Sequence, residues 1–127
     1  LVAGMDAGLL YNHYPLMGNG LVPVEYGEAG WLDPFENPAS AQFHHRWIAA
    51  VTFCAVVVLT LKARRYGLRL RHNLVLGAIV AQFTLGIITL LHGVPVALGG
   101  MHQAGAVMLL GCLLALLHGE SHHHQNI

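Results

Sequence analysis

A chain of 127 residues that is 55% hydrophobic and only 9% charged lies far below the roughly 25% charge of a soluble domain, and its mean hydropathy of +0.56 makes the lipid bilayer the expected solvent for most of it. Six basic and six acidic residues give zero net charge, so nucleic acid is not an expected partner. Cys54 and Cys112 both lie inside apolar runs and read as small hydrophobes, not as a disulfide or redox pair.

In chain order, "LVAGMDAGLL" has no initiator Met, no basic n-region and no small-residue cleavage site, so it does not read as a signal peptide. Residues 1–12 are expected to be the end of a truncated helix whose beginning lies upstream. Residues 13–40 are rich in Gly, Pro and aromatics, which argues against a continuous helix. Tyr and Trp suit the headgroup zone, and a packed loop over the helix ends with a short interfacial helix is expected.

From Trp47 to Leu61 there is no charge, and including Gln42 to Arg46 gives 20 residues, enough to cross about 30 Å of hydrocarbon. The first full span is therefore 42–61. Between Arg71 and Glu120 lie 48 residues without Asp, Glu, Lys or Arg, too many for one crossing. The signals in "HGVPVALGG" divide them into spans at 74–91 and 100–117, followed by a polar tail over 118–127 in which His122–His124 read as solvated.

Five of the six basic residues (Lys62, Arg64, Arg65, Arg69, Arg71) fall in one ten-residue stretch, and five of the six acids precede residue 40. Basic short loops stay on the cytoplasmic side. That puts 62–72 inside and 13–40 outside, in a bacterial inner membrane or, alternatively, a mitochondrial one. The fold class is an all-α integral membrane bundle of three full transmembrane helices plus the end of a fourth.

Among ten histidines, His44 and His45 enter the first span and His102 the third. Both spans run inward, so these side chains share one level. Imidazoles on helices pointing the same way can hold one planar ligand between them, the geometry of a bis-histidine haem. Gly86, Gly99, Gly100, Ala104 and Gly105 are small enough to admit a macrocycle, although small residues also pack plain membrane helices. An interfacial or helix-bridging histidine pair and a non-haem metal site remain open alternatives. Four-cysteine zinc and carboxylate-rich di-iron patterns do not occur in the spans, nor does a nucleophile elbow, P-loop or dinucleotide fingerprint at a strand-to-helix junction.

Arg46 sits near the membrane edge, where it can snorkel or pair with a carboxylate such as a haem propionate. Gln42, one turn earlier on the same face, can join either arrangement. Gln103, beside His102, can orient a ligand or bond a neighbouring helix.

The segments "VAGMDAGLLYNHYPLMG", "PFENPASAQFHHR" and "FTLGIITLLHGVPVALGGMHQAGAV" together resemble the C-terminal half of the heme A synthase family, over nearly the whole chain and in the same order. The resemblance implies half of an eight-helix protein made of two pseudo-symmetric four-helix halves, which oxidises the C8 methyl of haem O to the formyl of haem A. It also implies that the substrate haem, and the Glu of a Glu-x-x-His-Arg motif, belong to the other half; here the motif reads "QFHHR", with Gln42 at the carboxylate position. On the same likeness, His45 and His102 are the iron ligands of a haem b cofactor, and Arg46, Gln42 and Gln103 are cofactor contacts. His44 and His13 have no assigned role. The implied partners are haem O, haem O synthase and an electron donor, with a homo-oligomer as a further expectation. The competing functions are a stand-alone bis-histidine b-type membrane cytochrome and a haem-free helical scaffold.

Overall fold

The structure, a computed structural model, describes residues 2–66 and 69–124. It contains a short helix α1 (Asp33–Glu36) and three long ones, α2 (Pro38–Ala63), α3 (Arg69–Leu91) and α4 (Val96–His124), with no strand among the described residues. Segments Pro38–Ala63, Arg69–Leu91 and Val96–Ala115 are each long and apolar enough to cross a membrane. Large apolar side chains such as Val51, Leu59, Val107 and Met108 are 65–71% exposed. That is the pattern of a chain whose solvent is lipid.

The helices start before the apolar runs do. Asn37 accepts the Ala39 and Ser40 amides (3.0 and 3.5 Å) and Pro38 occupies the first helical position, where its missing N–H and fixed φ suit a helix start. Likewise Pro95 immediately precedes α4, its carbonyl accepting the Gly99 amide at 2.9 Å. Against the expected starts at 42 and 100, these two helices both begin four residues earlier. Equal extension leaves the relative level of their side chains unchanged.

Other boundaries also differ from the sequence reading. In place of the expected helix end, residues 2–12 hold turns and a 3-10 helix, Ala7–Leu9. Asp6 adopts a left-handed φ of 50°, which interrupts any α-helix passing through it. Instead of a polar tail, 118–124 prolong α4. The side chains of His122–His124, and residues 125–127 altogether, lie outside the described residues.

α3 is the middle of the bundle. It packs against both α2 and α4, while α2 and α4 make only sparse contact with each other. Its most covered positions are His72, Val75, Ile79 and Thr89, with Gln82 and Gly86 half-buried between them. That alternation of three and four residues is one helical face. The α3–α4 pairing is antiparallel, and its contacts (Gln82 with His102 and Gly105, Gly86 with His102, Thr89 with Leu98) lie nearly equidistant from the turn at 92–95. In that turn Gly93 and Val94 both have positive φ (71° and 52°).

Residues 11–37 fold as a packed loop against the start of α2. Asp33, 3% exposed, accepts the Gly27 and Ala29 amides (2.8 and 3.0 Å), the Asn37 side-chain amide (3.0 Å) and the Ser40 hydroxyl. Burial alone would raise this carboxyl, but the Ser40 hydroxyl, the Ala29 and Gly27 amides and Asn37 outweigh it and hold Asp33 well below the usual carboxylate range. Tyr11 donates to Glu25 at 2.6 Å, and Asn37 also donates to the Glu25 carbonyl at 2.6 Å. The loop is thereby closed by polar contacts to the same few residues that start α2.

Candidate functional site

α2 and α4 run in the same direction, each packed against α3. His45 is the eighth residue of α2 and His102 the seventh of α4. At 1.5 Å per residue this places both about 10 Å along their helices, deeper than the expected spans implied but still at one level. Their rings meet edge-on in a T-shaped arrangement, with centroids 6.3 Å apart and planes at 85°. The pair therefore spans the space left between two helices that scarcely touch.

The two rings are held differently. His45 is exposed and neither of its nitrogens bonds to a described residue. His102 is half-buried, its Nδ1 lies 3.1 Å from Gln82 Nε2, and the same amide nitrogen donates to the His102 carbonyl at 2.7 Å. Beneath the ring is Gly86, where a Cβ would stand 2.7 Å from His102 Cε1. Two turns below His45 on α2, Phe53 stacks on Phe83 of α3 with centroids 4.7 Å apart.

A metal–imidazole bond of about 2 Å, added to about 1.1 Å from nitrogen to ring centre, puts two imidazoles on opposite sides of one ion with centroids on the order of 6 Å apart. The observed 6.3 Å fits that arrangement. No group of three or more His, Cys, Asp or Glu side chains converges among the described residues. Two nitrogen ligands with the remaining positions supplied by a macrocycle match this donor set better than a bare ion in a protein cage.

The other residues singled out in the sequence have definite places. Arg46 Nη2 donates to the Tyr11 carbonyl at 2.6 Å and Nη1 to those of Leu16 and Pro15 at 3.0 and 3.4 Å. Gln42, 2% exposed, donates to the same Tyr11 carbonyl at 3.0 Å. Together they clamp the 11–16 segment onto α2. Arg46 Nε and Gln42 Oε1 are buried without a described partner.

His44 belongs to the loop side. Its Nδ1–H donates to the Ser40 carbonyl at 2.7 Å, so Nε2 is the acceptor facing the Tyr26 hydroxyl at 3.4 Å. Gln103 is exposed on α4, and the amide that reaches His102 is Gln82 of α3. Of the small residues expected to make room for a macrocycle, Gly86 receives the His102 ring and Gly105 the Gln82 amide, while Gly100 faces open space.

Fold and site together define a class: a membrane helical bundle with a histidine pair across a gap between like-directed helices. The model of the COX15-CtaA family, described as cytochrome oxidase assembly protein, matches residues 1–114, and the chain belongs to that family. It is 46% identical over 123 residues to a protein of Rhodospirillum centenum, 43% over 116 to one of Caulobacter sp. K31 and 41% over 127 to one of Paracoccus denitrificans, each named heme A synthase. These alignments cover 92, 87 and 93% of this chain but only 33, 34 and 32% of the relatives. The chain thus spans about a third of the length of the curated relatives it matches. No solved structure matches it.

Proposed function

We propose that this chain forms the cofactor-haem part of a heme A synthase and that His45 and His102 would hold its b-type haem through the iron. The observation that carries the reading is the pair of imidazoles at 6.3 Å, a separation suited to one iron between them. When bound, the haem supplies one-electron redox chemistry. The chain's own contribution is positional: α3 keeps α2 and α4 apart, His45 and His102 close the gap, and Arg46 and Gln42 fasten the outer loop over the helix starts, limiting access of water. Arg46 Nε–H is a buried donor left for a propionate and Gln42 Oε1 a buried acceptor left for a bridging water, with Gln103 a contact at the open edge.

Two imidazoles leave an iron no open position for oxygen chemistry. Oxidation of the C8 methyl of haem O to the formyl of haem A is therefore assigned to a part of the protein outside this chain, with haem O as substrate and an electron donor and haem O synthase as partners; a second copy of the chain is a further partner. The basic segment 62–72 supports an orientation with that face of the bundle on the cytoplasmic side of a bacterial inner membrane and 13–40 on the other. The test is pyridine haemochrome analysis of protein purified from membranes. A b-type spectrum is expected; folded protein without haem would overturn the reading.

A further inference from the structure

The α3–α4 seam holds its most elaborate polar contact at Gln82. The amide is seated on Gly105, where an added Cβ would collide with Oε1 and stand 3.3 Å from Cδ. From that seat Nε2 reaches both the carbonyl and Nδ1 of His102, at 2.7 and 3.1 Å. Gly86 supplies the reciprocal seat, so close that an added Cβ would stand 3.3 Å from His102 Nε2 and 3.4 Å from Nδ1. Each side chain rests on a glycine of the opposite helix. The His102 ring is thereby fixed by contact with α3 and by one hydrogen-bonding group at Nδ1, which leaves Nε2 as its available nitrogen.

An imidazole ligand gives the metal the lone pair of one nitrogen and carries its proton on the other, where a hydrogen-bond acceptor fixes the tautomer and raises the ligand's basicity. With Gln82 Nε2 toward it, Nδ1 is held as a lone pair and the proton sits on His102 Nε2. That form cannot bind iron through Nε2. A half-turn of the amide gives up the 2.7 Å bond to the His102 carbonyl and turns Oε1 toward Nδ1, where it accepts Nδ1–H and frees the Nε2 lone pair; the two ends of an amide are so alike in shape that the seat on Gly105 takes either.

We propose that Gln82 is the positioning residue of the His102 ligand: its amide sets which nitrogen of His102 faces the iron, and it presents Oε1 to Nδ1–H in the haem-loaded protein. This inference rests on the haem reading above. The hydrogen bond makes His102 a stronger donor, favours ferric over ferrous iron and lowers the reduction potential. It also holds the plane of the ring.

The experiment compares the haem-loaded protein with its Gln82→Leu and Gln82→Glu variants by spectroelectrochemical titration and low-temperature EPR. The leucine variant should remain low-spin with a higher potential and a changed EPR anisotropy, because the ring loses its acceptor. The glutamate variant, an acceptor at both oxygens once ionised, should have a lower potential than wild type. Shifts of opposite sign are the signature that packing alone does not produce. Potentials that move in the same direction, or potentials and EPR spectra that do not move, would reduce Gln82 to a packing residue. If the leucine variant loses its haem, the glutamate variant decides: a lower potential supports the proposal and an unchanged or higher one overturns it. A wild-type protein without haem overturns the haem reading itself and is recognised before any variant is compared.

Discussion

The two halves of the candidate site are built by different means. On the α2 side, everything near His45 is fixed by the loop: Asn37 caps the helix, Asp33 gathers four donors, and Arg46 and Gln42 bind carbonyls some 30 residues away in sequence. His45 itself is left without a hydrogen bond to a described residue. On the α4 side no loop is involved; His102 is gripped by Gln82 and seated on Gly86, both from the neighbouring helix. One ring can adjust to a ligand, while the other is placed beforehand. For a site between helices that barely touch, a fixed ligand supplies the reference position and a free one tolerates small changes in the gap.

The largest expected effect comes from removing either imidazole. His45→Ala and His102→Ala should each abolish the low-spin haem spectrum. His92→Ala, whose ring bonds to the Ile88 carbonyl at 2.8 Å, and His44→Ala should retain it. A normal spectrum from His45→Ala together with haem loss from His44→Ala would mean that α2 faces the gap with a different side.

Gly86→Ala sharpens the comparison from the fixed side. A methyl 2.7 Å from Cε1 must drive the His102 ring from its seat, at an overpacking cost of about 1–3 kcal/mol. The low-spin signal should be weakened or lost. Gly77→Ala, on the same helix but with nothing within 4 Å of the added carbon, is the matched control and should bind haem normally. Equal behaviour of the two variants would remove the need for close contact between His102 and α3.

Arg46→Ala breaks the loop side. Hydrogen bonds from a charged group contribute about 1.5–3 kcal/mol, and here they tie Tyr11, Pro15 and Leu16 to α2. The variant should show faster amide exchange across 11–20 and weaker haem retention, with His102-dependent properties less affected than in Gly86→Ala. Unchanged exchange would show that the clamp is redundant.

The smallest effect is on pH dependence. Because the folded Asp33 carboxyl lies below its usual value, it binds fewer protons folded than unfolded in that interval. Its stabilisation is complete above about pH 4, the unfolded value, and is lost as pH falls through the lowered folded value. Thermal unfolding in mild detergent should show this loss in the wild type and a flatter acid limb in Asp33→Asn. Parallel acid limbs would dissociate Asp33 from the loop's stability.

How much of this was legible in the sequence follows the same division. The three spans could be read because charge is excluded from the bilayer core, and the common level of His45 and His102 followed from helix direction alone. The helix starts lie four residues before the expected ones because Pro38 and Pro95, breakers inside a helix, mark its beginning when they stand at or just before the first turn. Sequence position alone makes Arg46 a snorkelling or propionate-binding residue, because its carbonyl partners come from a distant irregular loop that no periodicity describes. Adjacency to His102 points to Gln103, whereas the amide that reaches the ring is Gln82. A signal was available: Gln82 falls on the three-four stripe of Val75, Ile79, Gly86 and Thr89, and a polar residue on a covered stripe needs a partner. Which residue of α4 would meet it depended on the register set by the 92–95 turn, a tertiary fact.

The most direct test of the central claim is the low-temperature EPR spectrum of the oxidised, purified protein. Imidazole planes at 85° on one ferric haem should give a strongly anisotropic low-spin signal, and that signal should vanish in both His45→Ala and His102→Ala. A wild-type protein that holds only high-spin haem, or a low-spin signal that survives both substitutions, would contradict the assignment of these two histidines to one iron.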